Sequence, residues 1–207
     1  MRKKVKLTEQ QAGLAHLIGE QQNFDRRKEH SDQRQDSLAE RLRDGDRAAA
    51  AELVDLYYER IYLFMRRLGH SRQVSEDLTQ EIFFNAWHHI GQLRDGKALN
   101  SWLYRIAGNV SKLYWRRHKG KEAASIEGID VVDSLSKTQL DKAGDYEQLE
   151  RLNNAVTRLP IKLRQAVVLH YMQQLTITEA ADAAGIRKGT FKSRLNRALR
   201  ALRKQVM

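Results

Sequence analysis

Thr176-Ile-Thr-Glu179-Ala-Ala-Asp-Ala-Ala-Gly185-Ile186 is followed at once by Arg187-Lys-Gly-Thr-Phe191-Lys-Ser-Arg-Leu195-Asn-Arg-Ala198-Leu-Arg-Ala-Leu202. Thr176 and Glu179 have the spacing of a capping box, which starts a helix. Gly185 supplies the left-handed backbone on which a short helix ends. A second apolar stripe then runs through Phe191, Leu195, Ala198, Leu199 and Leu202 at helical spacing. From Gly185 to Met207 the chain holds eight Lys or Arg and no Asp or Glu. Helix, glycine turn and one-sided basic helix make a helix-turn-helix whose second helix suits a DNA groove. Ile186, Phe191 and Leu195 lock that helix onto the first. Lys188, Lys192, Ser193, Asn196, Arg197 and Arg200 are left facing outward, where Lys and Arg suit phosphates or guanine edges and Asn suits adenine.

The rest of the chain agrees with a helical protein that meets a polyanion. Its 207 residues include one proline, Pro160, and carry a formal charge of +11. Strand-like alternation is nearly absent, while Ala, Leu, Arg, Glu and Gln dominate, so an all-α fold is expected. Charge of this size points first to nucleic acid. Zero cysteines exclude disulfides and thiolate chemistry and fit the cytoplasm. No apolar run approaches the ~20 residues that cross a bilayer, and no signal-peptide stretch opens the chain, so no membrane insertion is expected.

Periodicity divides the chain. Residues 1–36 are polar and read as a flexible or weakly helical extension. Residues 37–119 form a helical domain. Leu38, Leu42, Leu53, Leu56, Tyr57, Ile61, Phe64 and Met65 share one buried face with a break at Gly45-Asp46, and Gly69 closes the hairpin. A helix from Arg72 to Ile90 follows, then one capped by Asn100 or Ser101 and running to Lys119. Residues 120–144 lose the pattern and read as a flexible linker. Residues 145–207 form the helix-turn-helix domain. There, Tyr146 to Leu159 makes one helix stopped by Pro160, and Ile161 to Gln173 makes another that partly buries Tyr171.

Two further faces carry information. Opposite the core stripe of the Arg72–Ile90 helix stand Asp77, Gln80, Glu81, Phe84 and His88. An acidic patch alone is an ordinary solvated surface, but a phenylalanine among carboxylates suits docking on a basic protein helix. On the following helix Arg105, Asn109, Lys112, Arg116 and Lys119 lie at three- and four-residue steps, away from the core. Basic residues interleaved with Trp102, Tyr104, Tyr114 and Trp115 suit phosphates and unpaired bases, although Tyr114 itself reads as core. Catalysis has little support. There is no glycine-rich phosphate loop, and His88-His89 are adjacent and cannot ligate one metal as an i, i+4 pair would. No metal, cofactor or small-molecule substrate is expected.

Asp77-Leu-Thr-Gln-Glu-Ile-Phe-Phe-Asn-Ala-Trp87, Trp102-Leu-Tyr-Arg-Ile-Ala-Gly-Asn109, Leu159-Pro160 and Gly189-Thr-Phe-Lys-Ser-Arg-Leu-Asn-Arg-Ala198 occur in that order. Together they resemble the bacterial RNA polymerase sigma factors of the sigma-70 family, extracytoplasmic-function (ECF) group, over residues 38–207. The resemblance implies a transcription initiation factor, not an enzyme, that brings core polymerase to promoters and assists their opening. It implies that Asp77, Gln80, Glu81 and Phe84 meet the clamp helices of the largest polymerase subunit, and that the C-terminal domain meets the flap. Arg105, Asn109, Lys112 and Arg116 fall in the reader of the −10 element, with Leu93 and Asn109 at the pocket for a flipped base. Arg187, Lys188, Thr190, Lys192, Ser193, Asn196 and Arg197 fall in the reader of the −35 element. Relatives of this kind are often held by an anti-sigma factor, so such a partner is an expectation here. Leu93 stands where an aromatic is common, and Arg187 where a small hydroxyl or proline is usual. Two other readings compete. One is a free-standing helix-turn-helix regulator with a dimerisation or sensing domain, which would have no need for the Asp77–Glu81 face. The other is a nucleic-acid-processing enzyme, which lacks its acid–base constellation.

Overall fold

A computed structural model describes residues 32–118, 151–152 and 154–206, and no strand occurs among them. The proposed linker and residues 1–31 lie outside the described residues, as does Lys119. The first helix, α1 (32–43), buries Leu38, Ala39 and Leu42. It begins before residue 37 and leans on the loop ahead of α4, where Gln35 accepts from the Asn100 amide at 3.2 Å. Gly96 is required at that crossing, because a Cβ there would fall 2.6 Å from the Asp36 Cα.

Gly45, at φ +78°, turns the chain, and Asp46 caps α2 (Arg47–Arg67) by accepting from the Ala48 amide at 2.8 Å. Arg41 bridges Asp46 and Glu52 at 2.9 and 2.7 Å, half-exposed contacts that fix the angle of the turn more than they add stability. Ala49, Leu53, Tyr57, Ile61, Phe64 and Met65 face the core. Leu56 does not. It is 43% exposed, at the edge of a stripe narrower than the apolar pattern suggests.

Gly69, at φ +98°, closes the hairpin, and Ser71 caps α3 (Arg72–His89). A 3₁₀ turn over Ile90–Gln92 and another over Gly96–Ala98 lead into α4 (Leu99–Arg117). Neither Asn100 nor Ser101 caps α4. Ala98 precedes it without a side-chain bond, and Asp95 instead caps the 3₁₀ turn by accepting from the Lys97 amide at 3.0 Å. A 3₁₀ entry consumes the orphan amides that a capping side chain would otherwise satisfy.

In the second domain, residues 154–157 are helical and Ala155, Val156 and Leu159 are buried, while Leu152 is 40% exposed. After Pro160, α5 (Ile161–Val167) does not run on as a plain helix to Gln173. It widens into a π-helical turn over Val168–Met172, closed by the Gln173 amide donating to Val168 O at 2.9 Å. Tyr171 is left 54% exposed on that turn. Then comes α6 (Ile177–Ala183), with both bonds of the Thr176–Glu179 capping box, and Gly185 at φ +64°. The last helix, α7 (Lys188–Val206), buries Phe191, Leu195, Ala198 and Leu202 against α5 and α6.

The two domains touch. α6 packs along α4, the Arg164 guanidinium donates to Leu68 O at 2.9 Å, and the Tyr104 hydroxyl donates to Gln173 Oε1 at 2.5 Å. Tyr104 is therefore a seam residue buried to 1% exposure, not an aromatic available to unpaired bases. Burial pushes its phenol pKa up, so the hydroxyl remains a donor.

Candidate nucleic-acid and protein interfaces

Three helices present polar faces, and their electrostatics differ from the sequence upward. Along α3 the outward residues Asp77, Gln80, Glu81, Phe84 and His88 are all exposed, and Phe84 is 62% exposed. Burial of Leu78, Ile82 and Ala86 on the opposite side fixes this orientation. Arg72 is already bonded to Glu76 at 3.2 Å, whereas Asp77 and Glu81 have no salt bridge among the described residues. His88 lies against Phe84, with ring centroids 4.1 Å apart and its Nδ1 at 3.0 Å from Phe84 O. The face is thus two free carboxylates around a propped aromatic, suited to a basic, partly apolar protein surface.

α4 has no acidic residue at all. Arg105, Asn109, Lys112 and Arg116 are exposed, while Leu103, Tyr104, Ala107 and Val110 are buried. Asn109 stands on the rim of two concavities. One, of about 290 Å³, lies between α3 and α4 and is lined by Glu81, Asn85, His89, Gln92, Trp102 and Ile106. The other, of about 430 Å³, opens toward the second domain beside Arg105 and Lys112. An indole wall and the carboxamides of Asn85, Gln92 and Asn109, with the Glu81 side chain at the same wall, can stack and hydrogen-bond an unpaired base.

Leu93 is not in that hollow. The 3₁₀ turn over Ile90–Gln92 rotates it inward, where it is 4% exposed and packed in the core, and its carbonyl accepts from Arg43 Nε at 3.2 Å. Its neighbour Gln92 faces the hollow instead. Sequence reasoning missed Gln92, Asn85 and His89. The usable signal was the i, i+4 spacing of Asn85 and His89, on the side of α3 that meets α4. Trp115, read as an interleaved aromatic, stacks on buried His70 with centroids 4.9 Å apart.

α7 also lacks acidic residues. Lys192, Ser193, Asn196, Arg197 and Arg200 are exposed along one side of it, and Arg187, Lys188 and Thr190 are exposed at its start. Phe191, fully buried, is the pivot that aims them. Among the described residues no group of three His, Cys, Asp or Glu could hold a metal ion, and no helix is long and apolar enough to cross a membrane.

Comparison with known proteins places this arrangement. Residues 53–121 match the Sigma-70 region 2 model and residues 149–202 the Sigma-70, region 4 model. The chain is 32% identical over 174 residues to the ECF RNA polymerase sigma factor SigW of Bacillus subtilis, covering 80% of this chain and 92% of that protein. It is 31% identical over 177 residues to the ECF RNA polymerase sigma-E factor of Escherichia coli, covering 82% and 92%. Among solved structures, CnrH in complex with the cytosolic domain of CnrY shares the fold at a TM-score of 0.61 and 20% identity, over 82% of this chain and 96% of that one. The sigma factor RpoE of Bartonella quintana, in complex with the anti-sigma factor NepR, shares it at 0.56 and 24% identity, over 75% and 95%. The chain belongs to the ECF RNA polymerase sigma factors and is a transcription initiation factor that works with RNA polymerase and is not itself an enzyme.

Proposed function

We propose that the three faces divide the work of promoter recognition. The α3 face, Asp77, Gln80, Glu81 and Phe84, docks on a basic helical surface of the core polymerase, the clamp helices of its largest subunit. α4 reads the −10 element after strand separation, with Arg105, Lys112 and Arg116 on phosphates and Asn109 beside a flipped base. Gln92 and Trp102 complete that base pocket in place of Leu93. α7 reads the −35 duplex through Lys192, Ser193, Asn196 and Arg197, with Arg187, Lys188 and Thr190 on the backbone at its start. Exposed Tyr171 and Leu152 offer the second domain an apolar contact for the polymerase flap. The protein acts in the cytoplasm, where its template is.

The observation that carries this reading is the hollow between α3 and α4, where the exposed Asn109 amide meets the Trp102 indole beside Gln92, with Glu81 of α3 also in its wall. Run-off transcription with core polymerase on a promoter library tests it. Asn109→Ala should keep polymerase binding and duplex recognition but open promoters poorly, and pre-melted templates should restore it. An Asn109→Ala protein that opens duplex promoters like wild type would remove the pocket from the mechanism. An anti-sigma factor is a further expected partner, supported by a fold neighbour solved with one. Its natural target is the exposed α3 face, where it would compete with polymerase, and co-purification from the source cell tests for it.

A further inference from the structure

The larger concavity, beside Arg105 and Lys112, is built from both domains. At its base Leu68, Ser111 and Ala183 are buried and Ile186 is half-buried. Four cations stand around that base: exposed Arg105 and Lys112 from α4, exposed Lys162 from α5 and half-buried Arg194 from α7. Among the described residues no carboxylate lines the cleft, and none of the four cations has an ion pair. Asn109 and Gln165 add carboxamides to the lining. Trp115, which also lines it, has a buried indole N–H without a hydrogen-bond partner.

Cations gathered around one hollow repel each other, and water and salt screen that repulsion only in part. Elsewhere the chain answers such charge with its own carboxylates, as where Arg41 holds Asp46 and Glu52 and Arg72 holds Glu76. Here the balancing charge is left to a ligand. At about 430 Å³ the cleft falls within the roughly 300–1,000 Å³ of small-molecule sites, so it suits a compact anion better than a strand of several nucleotides. Arg105 and Arg194 carry planar forks that match pairs of phosphate oxygens, while Lys112 and Lys162 act as point charges. The apolar base beside two carboxamides suits a flat ring with polar edges. Several phosphates joined to such a ring make a nucleotide.

We propose that this cleft is a binding site for a nucleoside di- or triphosphate, with its phosphates among Arg105, Lys112, Lys162 and Arg194 and its ring on the apolar base. Arg105, Asn109 and Lys112 also belong to the −10 face, so a bound nucleotide competes with the melted strand for them. That second part rests on the assignment of α4 made above. Nucleotide supply then sets how readily the factor takes hold of an opened promoter.

Calorimetry on the full-length protein tests the site, with ATP, GTP and inorganic tripolyphosphate as probes. Salt of about 150 mM screens exposed charges beyond ~8 Å and suppresses diffuse attraction to the basic chain. One ATP or GTP should bind per chain, about tenfold more tightly than tripolyphosphate because of the buried ring. Lys162→Glu reverses an exposed charge on the first turn of α5 and should weaken binding by about tenfold or more. Arg203→Glu reverses an exposed charge on α7 outside the cleft and should change nothing. If Lys162→Glu loses helicity, Lys162→Ala decides the matter. Equal losses in the position-162 and position-203 variants, or no binding of either nucleotide, overturn the site. Tripolyphosphate binding as tightly as ATP and GTP overturns the nucleotide in favour of bare polyphosphate. A short oligothymidine that binds through Lys162 where the nucleotides do not assigns the cleft to nucleic acid and overturns the proposal. ATP should also displace a labelled non-template promoter strand from wild type, and from Lys162→Glu only at about tenfold higher concentration. Nucleotide binding without displacement overturns the competition. If the strand binds no form of the protein, the α4 assignment falls while the calorimetry still decides whether the nucleotide site exists.

Discussion

α4 and α7 are alike in sequence terms: each is 19 residues long, basic and free of carboxylates, with outward polar residues at three- and four-residue steps. They end in different circumstances. α7 packs its apolar stripe on one body of helices and leaves its whole polar side in solvent. α4 packs on α3 and α2 with one side and meets α6 with another, so a face that reads as solvent-exposed lies in a cleft. The role of a helix can be read from its own period only while a single neighbour covers it.

That contrast can be tested by disabling each helix in turn, beginning with the pivot of α7. Phe191→Ala removes a fully buried ring and should destabilise the second domain by about 3–5 kcal/mol. Thermal denaturation should show the loss, and −35 duplex binding should fall with it. If −35 binding survives at temperatures where the domain has melted, α7 does not read that element.

The α4 side has a titrating group where α7 has none. Burial, with Arg164 nearby, pushes the His70 imidazole down to about 4. The unfolded chain, with an ordinary value near ~6.5, takes up a proton first as pH falls. Stability from the neutral ring is therefore complete above about 6.5 and lost as pH falls toward 4, to a total of about 3 kcal/mol. Urea melts of wild type and His70→Asn across that window should differ in slope, wild type falling faster. Parallel slopes would mean the ring is not held neutral by the fold.

Smaller effects separate the two proposed readers. Arg197→Ala should cost about 1–3 kcal/mol of promoter duplex affinity if it reads a base edge, while Asn109→Ala should leave that affinity intact. Filter binding on duplex and pre-melted promoters measures both; equal losses on both templates would erase the division between α4 and α7. The least effect belongs to Thr176→Ala. It removes the capping box of α6 and should lower the second domain's stability by about 1 kcal/mol, with no change in which promoters are chosen.

What could be read from sequence was what the chain decides locally. Gly69 and Gly185 mark reversals because a positive φ suits glycine, and Thr176–Glu179 marks a helix start because both capping partners lie within four residues. The exposure of α7 followed from Phe191, Leu195 and Ala198 alone. The failures had both local and distant causes. Leu93 is buried because a 3₁₀ turn, invisible in apolar spacing, rolls it inward. Leu56 is exposed because it lies at the edge of the stripe that α2 buries. Tyr104 looks like a reader of bases until Gln173, 69 positions later, takes its hydroxyl. The proposed base pocket needed α3 and α4 side by side before Gln92 could be seen to join Trp102 in its wall.

The π-helical turn over Val168–Met172 has a consequence for how this sequence can change. A wide turn carries one residue more than the α-helix it interrupts, so the rod changes phase partway along. Ala166 and Val167 before it are buried in the domain's own core, and Gln173 just beyond it meets Tyr104 of the other domain. Loss of a single codon within the turn would restore an unbroken helix and keep the helix-turn-helix foldable, yet swing Gln173 off its partner. An in-frame deletion there is the kind of heritable change that would leave the DNA-facing side of α7 intact while altering how the two domains meet.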